Sequence, residues 1–148
     1  MKKVLLFDVN ESLLDLRALL PHFERLFGDG QVLYQWFGQV LHSAMLTVIT
    51  DSYSDFGKVA RAALDMVAER RGVTLSEDDR LAIVGGMRML PPHPDVLPAM
   101  EKLHAAGFRL ATLTNSPPAV AKAQLENAGL VGVHQVADQG VQIHEGEP

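Results

Sequence analysis

Cysteine is absent from the 148-residue chain. Its absence excludes a disulfide framework, a thiolate nucleophile and any cysteine-based zinc site, and suits a reducing cytoplasm. Positive charge is also scarce. Lys and Arg number 13 against 18 Asp and Glu, giving a formal net charge of −5, and no Lys/Arg cluster stands out. A nucleic-acid partner is therefore not expected. Long hydrophobic runs are missing too: the apolar run after Lys2 and Lys3 stops at Asp8, too short for a signal peptide or a membrane span. No internal repeat or low-complexity segment is evident. The remaining balance, 47% apolar and 21% charged residues, is that of a soluble globular protein. The length fits one ordinary domain with a real core. The expectation is a soluble, cytoplasmic protein with no membrane contact.

Val4–Leu5–Leu6–Phe7 is apolar, too short for a helix, and followed by the polar stretch Asp8–Val9–Asn10–Glu11–Ser12. It reads as a strand buried on both faces, as in parallel α/β sheets. Asp8 then lies at the carboxyl end of a strand, where open α/β sheets place their ligands. A carboxylate there can serve as a nucleophile or simply cap the turn. Position alone leaves both readings open.

Four helices are expected next. Leu16, Leu19, Leu20, Phe23 and Leu26 recur at helical spacing up to Gly28–Asp29–Gly30. Leu33, Trp36, Phe37, Val40, Leu41 and Met45 form a broad stripe on a second helix reaching about Ile49. After a turn at Asp51–Ser54, a third helix runs through Val59, Ala63, Leu64 and Val67 to Arg70–Arg71–Gly72. Ser76, followed by Glu77, Asp78 and Asp79, reads as the N-cap of a fourth helix extending to about Met89. Leu90–Pro91–Pro92–His93–Pro94 is a stiff connector. An amphipathic helix over Asp95–Ala106, a strand over Phe108–Leu113, a loop at Thr114–Pro118 and a helix over Val120–Ala128 follow. Val133–His134–Gln135–Val136 reads as a short third strand. This order is half of a doubly wound parallel sheet, interrupted after its first strand by a helical block. Such sheets usually have about five strands, and two or three are read here.

Two strand ends carry the candidate chemistry: Asp8–Ser12 and Thr114–Asn115–Ser116. Parallel neighbours would bring them to one sheet edge. A carboxylate facing hydroxyl and amide groups suits covalent catalysis with stabilisation of a departing anion, although the second stretch also reads as a turn that caps the next helix. The six histidines show no pairing with acids at metal-ligand spacing, so no metal site is expected. His93, in the Pro-rich connector, reads as structural.

With these residues the chain resembles the haloacid dehalogenase superfamily, and within it the type II (S)-2-haloacid dehalogenase branch. The signature comprises a strand ending in Asp8, the continuation Asn10–Glu11–Ser12–Leu13–Leu14–Asp15, an inserted helical cap, and a second strand ending in Leu113–Thr114–Asn115. Tyr53–Ser54–Asp55–Phe56 and Ala128–Gly129–Leu130 match similar words in that branch. The resemblance implies an α/β fold: a doubly wound, Rossmann-like parallel sheet, C-terminally incomplete, over residues 1–14 and 92–148, with a cap at 15–91. It implies hydrolysis of a short 2-haloalkanoic acid without metal or organic cofactor. Asp8 would attack the halogen-bearing carbon, and water would then cleave the resulting ester. Thr114 and Asn115 would complete the catalytic set. Asn10, Ser12, Trp36 and Phe37 would bind substrate or halide, with plain core roles for the two aromatics read alongside.

Asn10 separates branches of the superfamily. Phosphatase members carry an Asp two residues after the nucleophile, and an Asn cannot act as that general acid. Halide leaves without a proton. Three features depart from the branch. Trp36 is followed by Phe37 where an Arg is usual, leaving backbone N–H groups or Lys58 as substitute anchors. The Lys that pairs with the nucleophile has no counterpart, Lys122 being the last lysine. The Ser-Ser-Asn segment after the fourth strand is also absent. An inactive, truncated or frame-altered relative and a phosphatase-type hydrolase therefore stand as alternatives, the second disfavoured by Asn10. An exposed half-sheet edge would favour association, which puts a homodimer among the expected states.

Overall fold

The computed structural model describes residues 3–130, 132 and 134–137. The chain divides into two compact units, one formed by Arg17–Met87 and the other by the described residues up to Leu16 and from Arg88 onward.

The second of these holds a parallel sheet of β1 (Val4–Phe7), β2 (Arg109–Thr114) and β3 (His134–Ala137) in that order. Parallel neighbours need crossovers, usually helical. Between β2 and β3 the crossover is helix α6 (Pro118–Asn127), which opens on a proline. It gives way to Gly129 at φ 71°, a left-handed position that suits glycine. Helix α5 (Val96–Ala105) leads into β2. β1 matches the segment read from sequence and β2 lies one residue beyond its own; of the third segment, Val133 falls outside the described residues and β3 covers the rest.

Register sets the two faces of the sheet. Leu5 and Phe7 align with Leu110 and Thr112, on the face that also holds Thr114; Leu110, Thr112 and Thr114 are buried. Val4 and Leu6 share the other face with Ala111 and Leu113. There Val4, Leu6 and Leu113 are 49%, 59% and 46% exposed. The expectation that β1 is buried on both faces is thereby corrected. An unbroken apolar run shows that a strand can be covered on both sides, not that it is. Among the described residues, β1 is an edge strand with one open face.

After β1 the chain turns tightly. The amides of Leu13 and Leu14 both donate to the Val9 carbonyl at 3.0 Å. The Asp15 amide then donates to the Pro91 carbonyl at 2.8 Å and the His93 amide to that of Leu13 at 2.9 Å, forming a bridge between Leu14 and Pro92. The proline-rich connector thus runs beside the segment that follows the first strand, and His93 serves it through its backbone.

The Arg17–Met87 unit is helical: α1 (Leu20–Phe27), α2 (Val32–Ile49), α3 (Phe56–Arg70) and α4 (Glu77–Gly86). A 3-10 turn over Leu16–Leu19 leads into α1, and another over Met87–Met89 replaces the expected last turn of α4 after Gly85–Gly86. Glycine's weak helix propensity accounts for the change there. Asp55 caps α3 by accepting from the amides of Gly57 (2.9 Å) and Lys58 (3.3 Å). Ser76 and Asp79 form a reciprocal capping box on α4. The core gathers Phe23, Leu33, Trp36, Leu64 and Ile83, all fully buried. No helix among the described residues is long and apolar enough to cross a membrane.

Candidate active site

Asp8 immediately follows β1 and is exposed. Its position results from a short strand that ends where the sequence turns polar. The loop beyond is bent by Glu11, a non-glycine residue at φ 66°. That conformation costs about 1–2 kcal/mol. Local bonds offset it: the Glu11 amide donates to the Leu14 carbonyl at 3.0 Å, and its carboxylate accepts from the Leu16 amide at 3.2 Å. The bend returns Ser12 toward the strand end, where its hydroxyl donates to Asp8 Oδ2 at 3.0 Å. One carboxylate oxygen is held while the group as a whole stays open to solvent.

The second strand end lies beside the first. Thr114 is buried, and its Oγ1 accepts from the Ser116 amide at 3.2 Å. Asn115 between them is exposed. Asn10 joins the two ends. Its Nδ2 donates to Ser116 Oγ at 3.3 Å, and its Oδ1 accepts from Gln124 Nε2 of α6 at 2.9 Å. Asn10, Ser116 and Gln124 are all buried, where an unmet amide is costly and a met one orders its surroundings.

Of the residues singled out in the sequence, the structure links Asp8 with Ser12, and through Ser116 it links Asn10 with Thr114. Trp36 and Phe37 belong to the helical unit. Trp36 is wholly buried, 5.3 Å from the Phe23 ring, with its indole N–H donated to the Ala60 carbonyl at 2.9 Å. That placement favours the core role read beside the pocket role. Ser116 was read as part of the second polar strand end, whereas Gln124 carries weight that sequence reasoning did not assign it. For Gln124 a signal existed: it falls among Ala121, Leu125 and Ala128, a lone polar side chain on the buried face of a helix.

Comparison with known proteins adds the following. A family model described as haloacid dehalogenase-like hydrolase matches residues 2–148. (S)-2-haloacid dehalogenase 1 of Pseudomonas sp. (strain CBS-3) is 26% identical over 141 residues, which cover 94% of this chain and 61% of that protein. Haloacetate dehalogenase H-2 of Moraxella sp. (strain B) is 25% identical, with 89% and 61% covered. The L-2-haloacid dehalogenase of Xanthobacter autotrophicus, known also with chloropropionic acid covalently bound, superposes with a TM-score of 0.80 at 27% identity, over 92% of this chain and 57% of that one. The chain thus spans about three-fifths of the length of the relatives it matches. The α/β architecture with a parallel sheet and a helical insertion is the fold they share.

Proposed function

The chain belongs to the haloacid dehalogenase-like hydrolase family, and we propose that within it the protein hydrolyses short 2-haloalkanoic acids through an ester on Asp8. One Asp8 oxygen attacks the halogen-bearing carbon, a C–O bond forms, and the halide leaves with the electron pair of the broken carbon–halogen bond. Water then attacks the Asp8 carboxyl carbon and releases the 2-hydroxy acid, a proton and the regenerated carboxylate. The Ser12 hydroxyl holds Oδ2 at 3.0 Å, leaving Oδ1 as the attacking atom. Thr114 and Asn115 supply polar contacts to the ester oxygens or the departing halide. The reaction as written draws only on the substrate, Asp8 and water, in the cytoplasm that a cysteine-free chain suits.

The observation that carries this reading is Asn10. A phosphoryl-transfer hydrolase needs an acid for its leaving alcohol, and an amide cannot provide one. Both ends of this amide are already engaged by Ser116 and Gln124. Halide departure needs no acid. Relatives about 25% identical that carry the name (S)-2-haloacid dehalogenase support the same substrate class.

A second reading, an inactive member of the family, is favoured by Phe37, which follows Trp36 where the branch it resembles usually carries an Arg. Halide release from 2-chloropropionate separates the two. Wild type is expected to release halide while Asp8→Asn does not, and Ser12→Ala should slow release by about tenfold or more, the scale of one hydrogen bond to a charged group. Equal background release from wild type and Asp8→Asn would sink the dehalogenase reading and favour the second.

A further inference from the structure

Gln124 is a polar side chain where packing alone would place hydrocarbon. It is 1% exposed on α6, among the buried Ala121, Leu125 and Ala128. Two apolar side chains in place of such a buried amide and its partner are commonly about as stable. The Gln124 Nε2 donates to Asn10 Oδ1 at 2.9 Å, and that bond fixes which way the Asn10 amide faces. A side-chain amide accepts at one end and donates at the other. With Oδ1 engaged by Gln124, Nδ2 is the end that meets Ser116, donating to its Oγ at 3.3 Å. Ser116 Oγ therefore keeps its own hydrogen. A reversed amide would present its oxygen and take that hydrogen. Thr114 is in the same condition, since its Oγ1 accepts from the Ser116 amide at 3.2 Å. Neither hydroxyl donates to another group among the described residues.

We propose that Gln124 is a positioning residue for the reaction at Asp8, a role that depends on Asp8 being the nucleophile. Through Asn10 it sets the direction of the hydrogen bonds at the second strand end. The Ser116 and Thr114 hydroxyls are thereby left as donors for the ester oxygens or the departing halide. Both of those groups accept hydrogen bonds and give none, so a strand end that keeps its hydroxyl hydrogens suits them. Asn10 carries the effect to the first strand end as well. It lies in the chain between Asp8 and Ser12, whose side chains are joined at 3.0 Å. The loop they share is tight, with the Leu13 and Leu14 amides both donating to the Val9 carbonyl. An Asn10 released from Gln124 would shift that loop and with it the Ser12 hydroxyl that holds Asp8 Oδ2. Gln124 gains and loses no proton in this role; it acts by orientation alone.

Halide release from 2-chloropropionate, resolved into kcat and KM, tests the role. Gln124→Met keeps the volume and cannot donate. It should lower kcat about 10- to 100-fold and move KM by less than about threefold, with the circular-dichroism spectrum unchanged at the assay temperature. Ser116→Ala, which removes the hydroxyl and leaves α6 intact, should lower kcat on the same scale. Combining the two should cost no more than the worse of them, because both remove one donor. Asn10→Leu with Gln124→Met makes the pair apolar. It should recover the melting temperature lost in Gln124→Met without recovering kcat, which separates positioning from plain stability. Strictly additive losses for Gln124→Met and Ser116→Ala, or a kcat that returns with stability in the apolar pair, overturn the role. A wild type that releases no halide overturns the Asp8 reading, and this role falls with it. An active wild type matched in kcat by Gln124→Met overturns the role alone.

Discussion

Asn10 engages both ends of its amide inside the protein, with Ser116 on one side and Gln124 on the other. Its sequence signal is chemical: an amide two residues after a strand-end carboxylate. That signal names what Asn10 cannot do but not what it touches. Gln124 is 114 positions away, and no local pattern connects the two. Gln124→Met keeps the volume and removes the donor, leaving the Asn10 oxygen unmet. The expected cost is about 1–3 kcal/mol in urea unfolding. A change within a few tenths of a kcal/mol would mean the network contributes no stability. Asp8, by contrast, was legible as a strand-end carboxylate, and the structure adds the Ser12 bond that orients it.

Helix α4 shows how an element is set by its own first turn. Ser76 and Asp79 satisfy each other's backbone amides at 3.1 and 3.0 Å. Ser76→Ala is expected to cost about 1 kcal/mol, read by chemical denaturation. Asp79 also accepts from Arg25 at 2.7 Å. The Ser76 hydroxyl first, then Arg25 and the Ser76 amide, hold its carboxyl down at about 2. Because the folded value lies below the unfolded one, the stabilisation is present in full above the ordinary Asp range. It is lost as pH falls through about 2. Acid titration followed by Trp36 fluorescence should show the helical unit losing stability between those limits, and Asp79→Asn should flatten that part of the profile. The capping serine and its acids were readable in sequence because the interaction spans three residues. Where α4 stops short at Gly85–Gly86, the expected extension to Met89 ran against glycine's poor propensity.

At the scale of the molecule, each unit has its own buried core, and the protein's single tryptophan lies in one of them. Unfolding monitored by Trp36 fluorescence and by far-ultraviolet circular dichroism should therefore give transitions that do not coincide, as multi-unit chains commonly do. Superimposable curves would show that the two units unfold as one. The open sheet face makes a matching prediction. Leu6→Lys, at a position 59% exposed, should change stability by no more than about 0.5 kcal/mol, whereas Leu110→Ala on the covered face should cost about 2–5 kcal/mol.

Taken alone, the sequence determined the order of strands and helices, the strand-end place of Asp8, the capping of α4 and the absence of an acid at position 10. Each depends on spacing within a few residues, where periodicity and side-chain chemistry act directly. Only the tertiary structure decided that one face of β1 lies open, that Trp36 is sealed in a helical core, and that Gln124 joins α6 to the loop after the first strand. Burial and long-range hydrogen bonds depend on what arrives from distant parts of the chain. The four apolar residues after Lys3 are the same letters whether or not anything packs against them.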